Sequence, residues 1–125
     1  MKIISTEKAA QAVGPYSQAI VNNQTLFTSG QLGIDPKTSD FPTNEIIGQT
    51  KQVFKNIEEI LKESGFVKSE VVKVTIFLKD LSVFSVVNKM YGDFFENHKP
   101  ARSTIEVSRL PKDGLIEIEL IAQKA

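Results

Sequence analysis

Residues 100–107 read Pro-Ala-Arg-Ser-Thr-Ile-Glu-Val, and residues 116–119 read Ile-Glu-Ile-Glu after a segment that contains Pro-Lys-Asp-Gly. Both stretches are rich in β-branched residues, which favour strands. The Pro and Gly between them are typical of a turn. The pattern therefore predicts two strands that pair as a closing hairpin, over about 102–108 and 115–122.

Charged residues alternate with apolar residues along the first of these strands. Because successive side chains of a strand point to opposite faces, Arg102, Thr104 and Glu106 share one face. Ile105 and Val107 lie on the other. The chain also predicts helices, described below, which would cover one face of the sheet. We expect Ile105 and Val107 to face these helices and Arg102 to point to the face that the helices leave uncovered.

If the hairpin pairs as expected, Glu117 and Glu119 lie on the same face as Arg102. A carboxylate in a partly enclosed site can hold and deprotonate a water molecule. A guanidinium can bind a substrate carboxylate through two parallel hydrogen bonds. Spacing alone favours a simpler interpretation, in which Arg102 forms an ordinary surface or interface ion pair with Glu106 or Glu119 and the glutamates line a solvated strand.

The rest of the chain predicts further strands and two helices. Hydrophobic spacing indicates a helix of about 20 residues that begins near Thr43 or Asn44 and ends at Gly65. A second helix has an apolar face formed by Leu81, Phe84, Val87, Tyr91, Phe94 and Phe95. Further strands are predicted near residues 2–6, 17–21, 25–29 and 71–78.

The resulting order, β-β-β-α-β-α-β-β, predicts an α+β sandwich with two helices on one face of a mixed sheet. A chain of 125 residues is expected to form a single domain, residues 1–125. Two helices cannot cover both faces of such a sheet. The sequence therefore predicts that the protein forms an oligomer.

Composition narrows the function classes. Fifteen basic residues balance fifteen acidic ones, and the chain has no cysteine. The neutral charge gives no electrostatic basis for nucleic acid as the main partner. The absence of cysteine excludes thiolate catalysis, and the single histidine, His98, makes a metal site improbable.

We expect no cofactor, since no phosphate loop or dinucleotide motif is present. With no signal peptide or long apolar run, we expect a cytoplasmic protein that does not bind membranes.

Several motifs resemble those of one known family. Pro-Ala-Arg-Ser at 100–103, Leu-Pro-Lys-Asp at 110–113 and Ile-Glu-Ile-Glu at 116–119 resemble the carboxyl-terminal signature of the RidA/YjgF (L-PSP) family. Gly-Pro-Tyr at 14–16 and Ser-Gly-Gln at 29–31 resemble its amino-terminal motifs. The resemblance implies a chorismate-mutase-like fold and a homotrimer whose sheets enclose a central barrel, with the sites between subunits.

The resemblance also implies roles for individual residues. In the family, the arginine of Pro-Ala-Arg binds the substrate carboxylate and the first glutamate of Ile-Glu-Ile-Glu positions the attacking water, so Arg102 and Glu117 become the candidate catalytic residues. The candidate substrate-binding residues are Tyr16, Ser29, Gly30, Asn88, Arg102 and Thr104. By themselves, these motifs are also compatible with an ordinary turn, a loop entry and a helix flank. Many close relatives carry Cys at the position of Thr104.

The family comprises small enamine/imine deaminases. The resemblance therefore implies hydrolysis of 2-iminobutanoate or 2-iminopropanoate to a 2-keto acid and ammonia. Two alternatives stay open: a regulatory trimer that binds small carboxylates without turnover, and the endoribonuclease activity ascribed to some relatives. The second is disfavoured because phosphate contacts need clustered basic residues.

Overall fold

The computed structural model describes residues 1–125 and contains a seven-stranded mixed sheet with two helices on one face. The helices are α1 (Ile46–Ser64) and α2 (Phe84–Phe95). The strands are β1 (Lys2–Ile4), β2 (Ala19–Asn22), β3 (Thr25–Thr28), β4 (Gln31–Leu32), β5 (Val71–Leu78), β6 (Ala101–Glu106) and β7 (Ile116–Gln123). The predicted α+β architecture is confirmed, with the two-residue strand β4 as an addition to the predicted order.

The strand order is β1-β2-β3-β7-β5-β6, and β4 also pairs with β7. The predicted closing hairpin is wrong, because β7 pairs with β5 and β6 lies on the far side of β5. The strands β5 and β6 are parallel and are connected through α2. A crossover of this kind brings the chain back in its original direction, so β6 runs parallel to β5. Because β6 occupies one edge of β5, the other edge is free to pair with β7 in the antiparallel direction.

The pairing register decides which way β6 faces. Arg102 lies opposite Val74, and Thr104 lies opposite Ile76. Val74 and Ile76 are fully buried in the core, so Arg102 and Thr104 point to the helix side of the sheet. The expectation that Arg102 faces away from the helices is wrong, and Ile105 is instead 45% exposed on the open face. Register with β5, rather than the apolar content of β6, fixes this orientation.

The first helix has the predicted length and end. It spans 19 residues and ends at Gly65, which adopts a left-handed conformation with φ 79°. A glycine tolerates this conformation because it has no Cβ. The predicted N-cap at Thr43 or Asn44 is wrong, since Glu45 occupies the cap position. The Thr43 hydroxyl instead accepts a hydrogen bond from the Glu45 N–H, at 3.2 Å.

The hydrophobic core is one cluster of 21 buried residues, drawn from the helices, the sheet strands and the adjoining loops. Its aromatic part includes Phe54 of α1 and both Tyr91 and Phe95 of α2. The opposite face of the sheet carries no helix. Neither helix has the apolar stretch that would be needed to cross a bilayer.

Candidate active site

Arg102 is half-buried at the edge of the sheet, beneath α2. Its Nη1 donates a hydrogen bond to Asn88 Oδ1 at 2.8 Å, and its Cζ lies 4.6 Å from the centroid of the Tyr91 ring. None of the four ion pairs of the chain includes Arg102. The predicted alternative, an ion pair of Arg102 with Glu106 or Glu119, is therefore wrong within one chain, and the same pair across an interface stays a prediction. Glu106 instead accepts a hydrogen bond from the Leu81 N–H at 2.9 Å.

A cavity of about 430 Å³ lies beside the Arg102 guanidinium, at the carboxyl-terminal end of α2. Asn88, Tyr91, Glu96, His98 and Lys99 also line it. None of the charged groups Glu96, Lys99 and Arg102 forms an ion pair within the chain. With two cations and one carboxylate, the cavity combines space with a net positive charge, which suits a small carboxylate.

Thr104 lies on the same face of β6, two residues after Arg102. Both residues line a smaller cavity of about 290 Å³, together with Leu81 and Phe84. The Thr104 Oγ1 is buried and has no hydrogen-bond partner. An unpaired buried hydroxyl is costly, so this oxygen lacks a hydrogen bond that its surroundings would favour.

Glu117 lies on β7, where it pairs with Phe77 of β5 and Leu32 of β4. The carboxylate is half-buried, and burial raises its pKa, with a further increase from the neighbouring charge of Glu119. Gly30 packs directly against it: a Cβ on that residue would lie 2.7 Å from the Glu117 Cδ. A side chain at position 30 would force the Glu117 carboxyl group to move, so glycine permits the observed position of the carboxylate. Glu117 has no cation partner within its own chain.

Ser29 and Tyr16 lie near the start of β4. The Ser29 hydroxyl donates to the Ser17 carbonyl at 2.6 Å, which leaves its oxygen able to accept a hydrogen bond. Tyr16 is 52% exposed and lines a cavity of about 330 Å³ together with Leu32. Leu32 is the register partner of Glu117 and thus connects Tyr16 to the glutamate through β4, although Glu117 itself does not line this cavity.

The candidate residues thus fall into two groups. The arginine group is Arg102, Asn88 and Thr104, on the helix face of the sheet edge. The glutamate group is Glu117, Gly30, Ser29 and Tyr16, at β7 and the segments around β4. The expectation that Arg102 and Glu117 share one face is wrong.

The separation of the two groups follows from strand pairing. Arg102 pairs with Val74, and Glu117 pairs with Phe77, on the same strand β5. Residues separated by an odd number along a strand point to opposite faces. The sheet therefore lies between the guanidinium and the carboxylate of one chain.

Sequence reasoning missed the aromatic surroundings of Arg102. The rings of Tyr91 and Phe84 lie 4.6 and 5.4 Å from its Cζ. Periodicity assigned both rings to the apolar face of the second helix, where they do lie. Tyr91 follows Asn88 by three residues and Phe84 precedes it by four, and this spacing was the signal that all three share one helix face.

Comparisons with known proteins agree on one family. The family profile described as Endoribonuclease L-PSP matches residues 6–124. A RutC family protein of Sulfurisphaera tokodaii is 50% identical, covering 99% of both chains. Reactive Intermediate Deaminase A, chloroplastic, of Arabidopsis thaliana is 51% identical over 97% of this chain and 65% of its own. The 2-iminobutanoate/2-iminopropanoate deaminase of Capra hircus is 46% identical, over 97% and 88%.

Solved structures give the same result. A crystal structure described as a putative endoribonuclease from Thermotoga maritima superposes with a TM-score of 0.97 at 42% identity, covering 100% of this chain and 98% of the other. The structure of E. coli TdcF with bound serine superposes with a TM-score of 0.95 at 37% identity, covering 100% of both. The chain therefore belongs to the RidA/YjgF (L-PSP) family.

Proposed function

We propose that the protein is a hydrolytic deaminase of reactive enamine and imine intermediates, acting on 2-iminobutanoate and 2-iminopropanoate. The observation that carries the proposal is the Arg102 guanidinium, which faces a cavity and has no carboxylate partner in its own chain. Two relatives at 46% and 51% identity are named as deaminases, and one of those names specifies these two imino acids. A related structure holds serine, which is also a small α-carboxylate.

In the proposed reaction, Arg102 binds the substrate carboxylate through two charge-assisted hydrogen bonds. Glu117 holds a water molecule and accepts its proton as the oxygen attacks the imine carbon. When the imine reacts in its protonated form, this attack gives a neutral carbinolamine, and the proton held by Glu117 then passes to the nitrogen. As the C–N bond breaks, the carbinolamine hydroxyl gives its own proton back to the Glu117 carboxylate, and ammonia leaves with a 2-keto acid. A raised pKa suits Glu117 to both steps, because the carboxyl group first takes up and then returns a proton.

This mechanism requires a second copy of the chain. Arg102 and Glu117 lie on opposite faces of one sheet, so the arginine group of one copy would meet the glutamate group of another. The uncovered sheet face, where Phe27 and Ile105 are each 45% exposed, supports such an assembly. We propose a homotrimer with intersubunit sites, in which Tyr16, Ser29, Gly30, Asn88 and Thr104 shape the pocket. A cytoplasmic location remains a prediction, since one relative is named as chloroplastic.

The test is the loss of freshly generated 2-iminobutanoate, followed by stopped-flow kinetics. Arg102→Ala is expected to lower kcat/KM by about 10²–10⁴-fold, because two hydrogen bonds to a charged group are lost. Arg109→Ala is the matched control, since Arg109 is an exposed arginine close in sequence. Full activity of Arg102→Ala would contradict the proposal. Binding of 2-ketobutyrate without faster imine loss would indicate the carboxylate-binding alternative.

A further inference from the structure

The groups that hold the Arg102 guanidinium come from one face of α2. Phe84, Asn88 and Tyr91 are four and three residues apart, and all three contact the guanidinium. We propose that Tyr91 is a positioning residue, whose ring fixes the guanidinium beside the cavity, uncompensated and ready for a carboxylate. The effect of this positioning on carboxylate binding rests on the proposed function, whereas the position of the guanidinium is a property of the protein without substrate.

Tyr91 is a rigid support. Its ring packs on Phe95 with centroids 4.9 Å apart, and meets Phe54 of α1 edge-on at 6.3 Å. Only 8% of Tyr91 is exposed. A ring held by both helices cannot move away when the guanidinium rotates, so stacking restricts the arginine to few rotamers.

The support leaves the arginine chemically available. Two aromatic rings and one amide carry no net charge, so they do not neutralise the guanidinium. Of the five N–H donors of an arginine, Asn88 accepts one. A carboxylate in the place of Asn88 would hold the side chain equally well, but a substrate would have to displace it. The two rings and the amide therefore hold the guanidinium in place without an anion in contact with it. This favours binding to a preorganised site, because the side chain is already ordered before the substrate arrives.

The ring of Tyr91, rather than its hydroxyl, provides the contact. The Oη is buried and forms no hydrogen bond. Burial also raises the pKa of Tyr91, although the Arg102 charge opposes this, so the hydroxyl stays protonated and uncharged at neutral pH. Tyr91→Phe is therefore expected to keep the positioning, whereas Tyr91→Leu removes it.

Nuclear magnetic resonance of the arginine side chains tests the positioning without any substrate. The chain has two arginines, Arg102 and Arg109, and the second is exposed and serves as an internal reference. We expect the Nε–Hε signal of Arg102 to show an upfield ring-current shift and a nuclear Overhauser effect to the Tyr91 ring. In Tyr91→Leu the signal should move towards the position of Arg109, with the Phe84 ring leaving a smaller residual shift, and in Tyr91→Phe it should stay fully shifted.

Binding of 2-ketobutyrate measures the functional consequence. Tyr91→Leu should weaken binding, and raise KM, by about fivefold to thirtyfold, the range for a sheltered cation–π contact, with kcat within about twofold. Tyr91→Phe should bind as the natural chain does. Phe66→Leu controls for general loss of stability, since Phe66 is also buried and stacks with a different cation, Lys124.

Asn88→Asp provides a second variant at a less buried position. Its carboxylate should pair with Arg102 and weaken 2-ketobutyrate binding more than Asn88→Ala does. The inference is overturned if the Arg102 signal coincides with that of Arg109 in the natural chain, or if Tyr91→Leu leaves the signal and the affinity unchanged. Failure of the natural chain to bind 2-ketobutyrate would contradict the proposed function instead, and the resonance would still decide the positioning.

Discussion

The arginine group and the glutamate group differ in what surrounds their charge. Arg102 is held from behind by neutral groups of a helix and is open to a cavity in front. The Glu117 carboxylate packs closely on the Gly30 backbone and lies near a second carboxylate, that of Glu119. Neither charge has its counterion within the chain. The two groups therefore differ in the sign of their unpaired charge, and the proposed intersubunit site is the arrangement that would bring them together.

The largest expected effect is the recovery of activity on mixing two inactive variants. Arg102→Ala and Glu117→Gln should each lose catalysis, the second by about 10²–10⁴-fold because the general base is removed. When the two are refolded together in equal amounts, about a quarter of the sites should pair an intact arginine with an intact glutamate, if each site spans two subunits of a symmetric oligomer. The imine assay measures the recovery.

The matched control refolds each variant with itself, which should give no recovery. If the mixed sample also stays inactive while it forms the same oligomer, the two groups do not meet across subunits. That result would remove the intersubunit site from the proposed function.

A second prediction concerns the stability of the glutamate group. Burial raises the pKa of Glu117, so the folded chain keeps a proton over a pH range in which the unfolded chain has released it. Stability therefore falls as pH rises through that range. Glu117→Gln removes this loss and should be more stable at neutral pH, by no more than about 1 kcal/mol because solvent screens the half-exposed group.

Urea unfolding at several pH values measures this difference. The gain should vanish below the ordinary pKa of a glutamate, where the carboxyl group is protonated in both states. Glu63→Gln, at an exposed position of α1, is the control and should show no such dependence. A gain in Glu117→Gln that is the same at every pH would show that ionisation is not its cause.

A smaller effect is expected from Glu119→Gln. The charge of Glu119 contributes to the raised pKa of Glu117, after burial. Its removal should lower that pKa, so the acid limb of the pH–rate profile should move to lower pH while the plateau rate is unchanged. An unmoved acid limb would mean that the limb belongs to another group. Comparison with Glu63→Gln excludes a general effect of net charge.

An effect of about the same size as that of Glu117→Gln on stability is expected in the arginine group, at Thr104. Its hydroxyl is buried without a partner, so Thr104→Val should raise the free energy of unfolding by about 1 kcal/mol. If the hydroxyl binds substrate, the same change should weaken 2-ketobutyrate binding by about twofold to tenfold, the value of one neutral hydrogen bond. Thr104→Ser keeps the hydroxyl and should keep the binding. Equal affinity of Thr104→Val and the natural chain would remove Thr104 from the pocket.

Much of the fold could be predicted from local patterns. The end of α1 at Gly65, the strand β5 and the second helix all follow from periodicity and from the conformational preferences of single residues. The pairing of β6 could not be predicted in this way. A turn-rich segment after β6 suggested a hairpin with β7, but the crossover through α2 placed β6 at the sheet edge. The residues of a turn carry no information about which strand edges are already paired with strands from distant parts of the chain.

The chemistry of the chain could be recognised from its residues alone: one arginine after a Pro-Ala pair, alternating glutamates, no cysteine and no excess charge. The helices and most of the strands could be recognised in the same way, because their signals repeat within a few residues. That Arg102 faces the helices and Glu117 the open side became clear from strand pairing. A strand fixes the alternation of its side chains, but the partner strand and its register set which face each group of side chains takes.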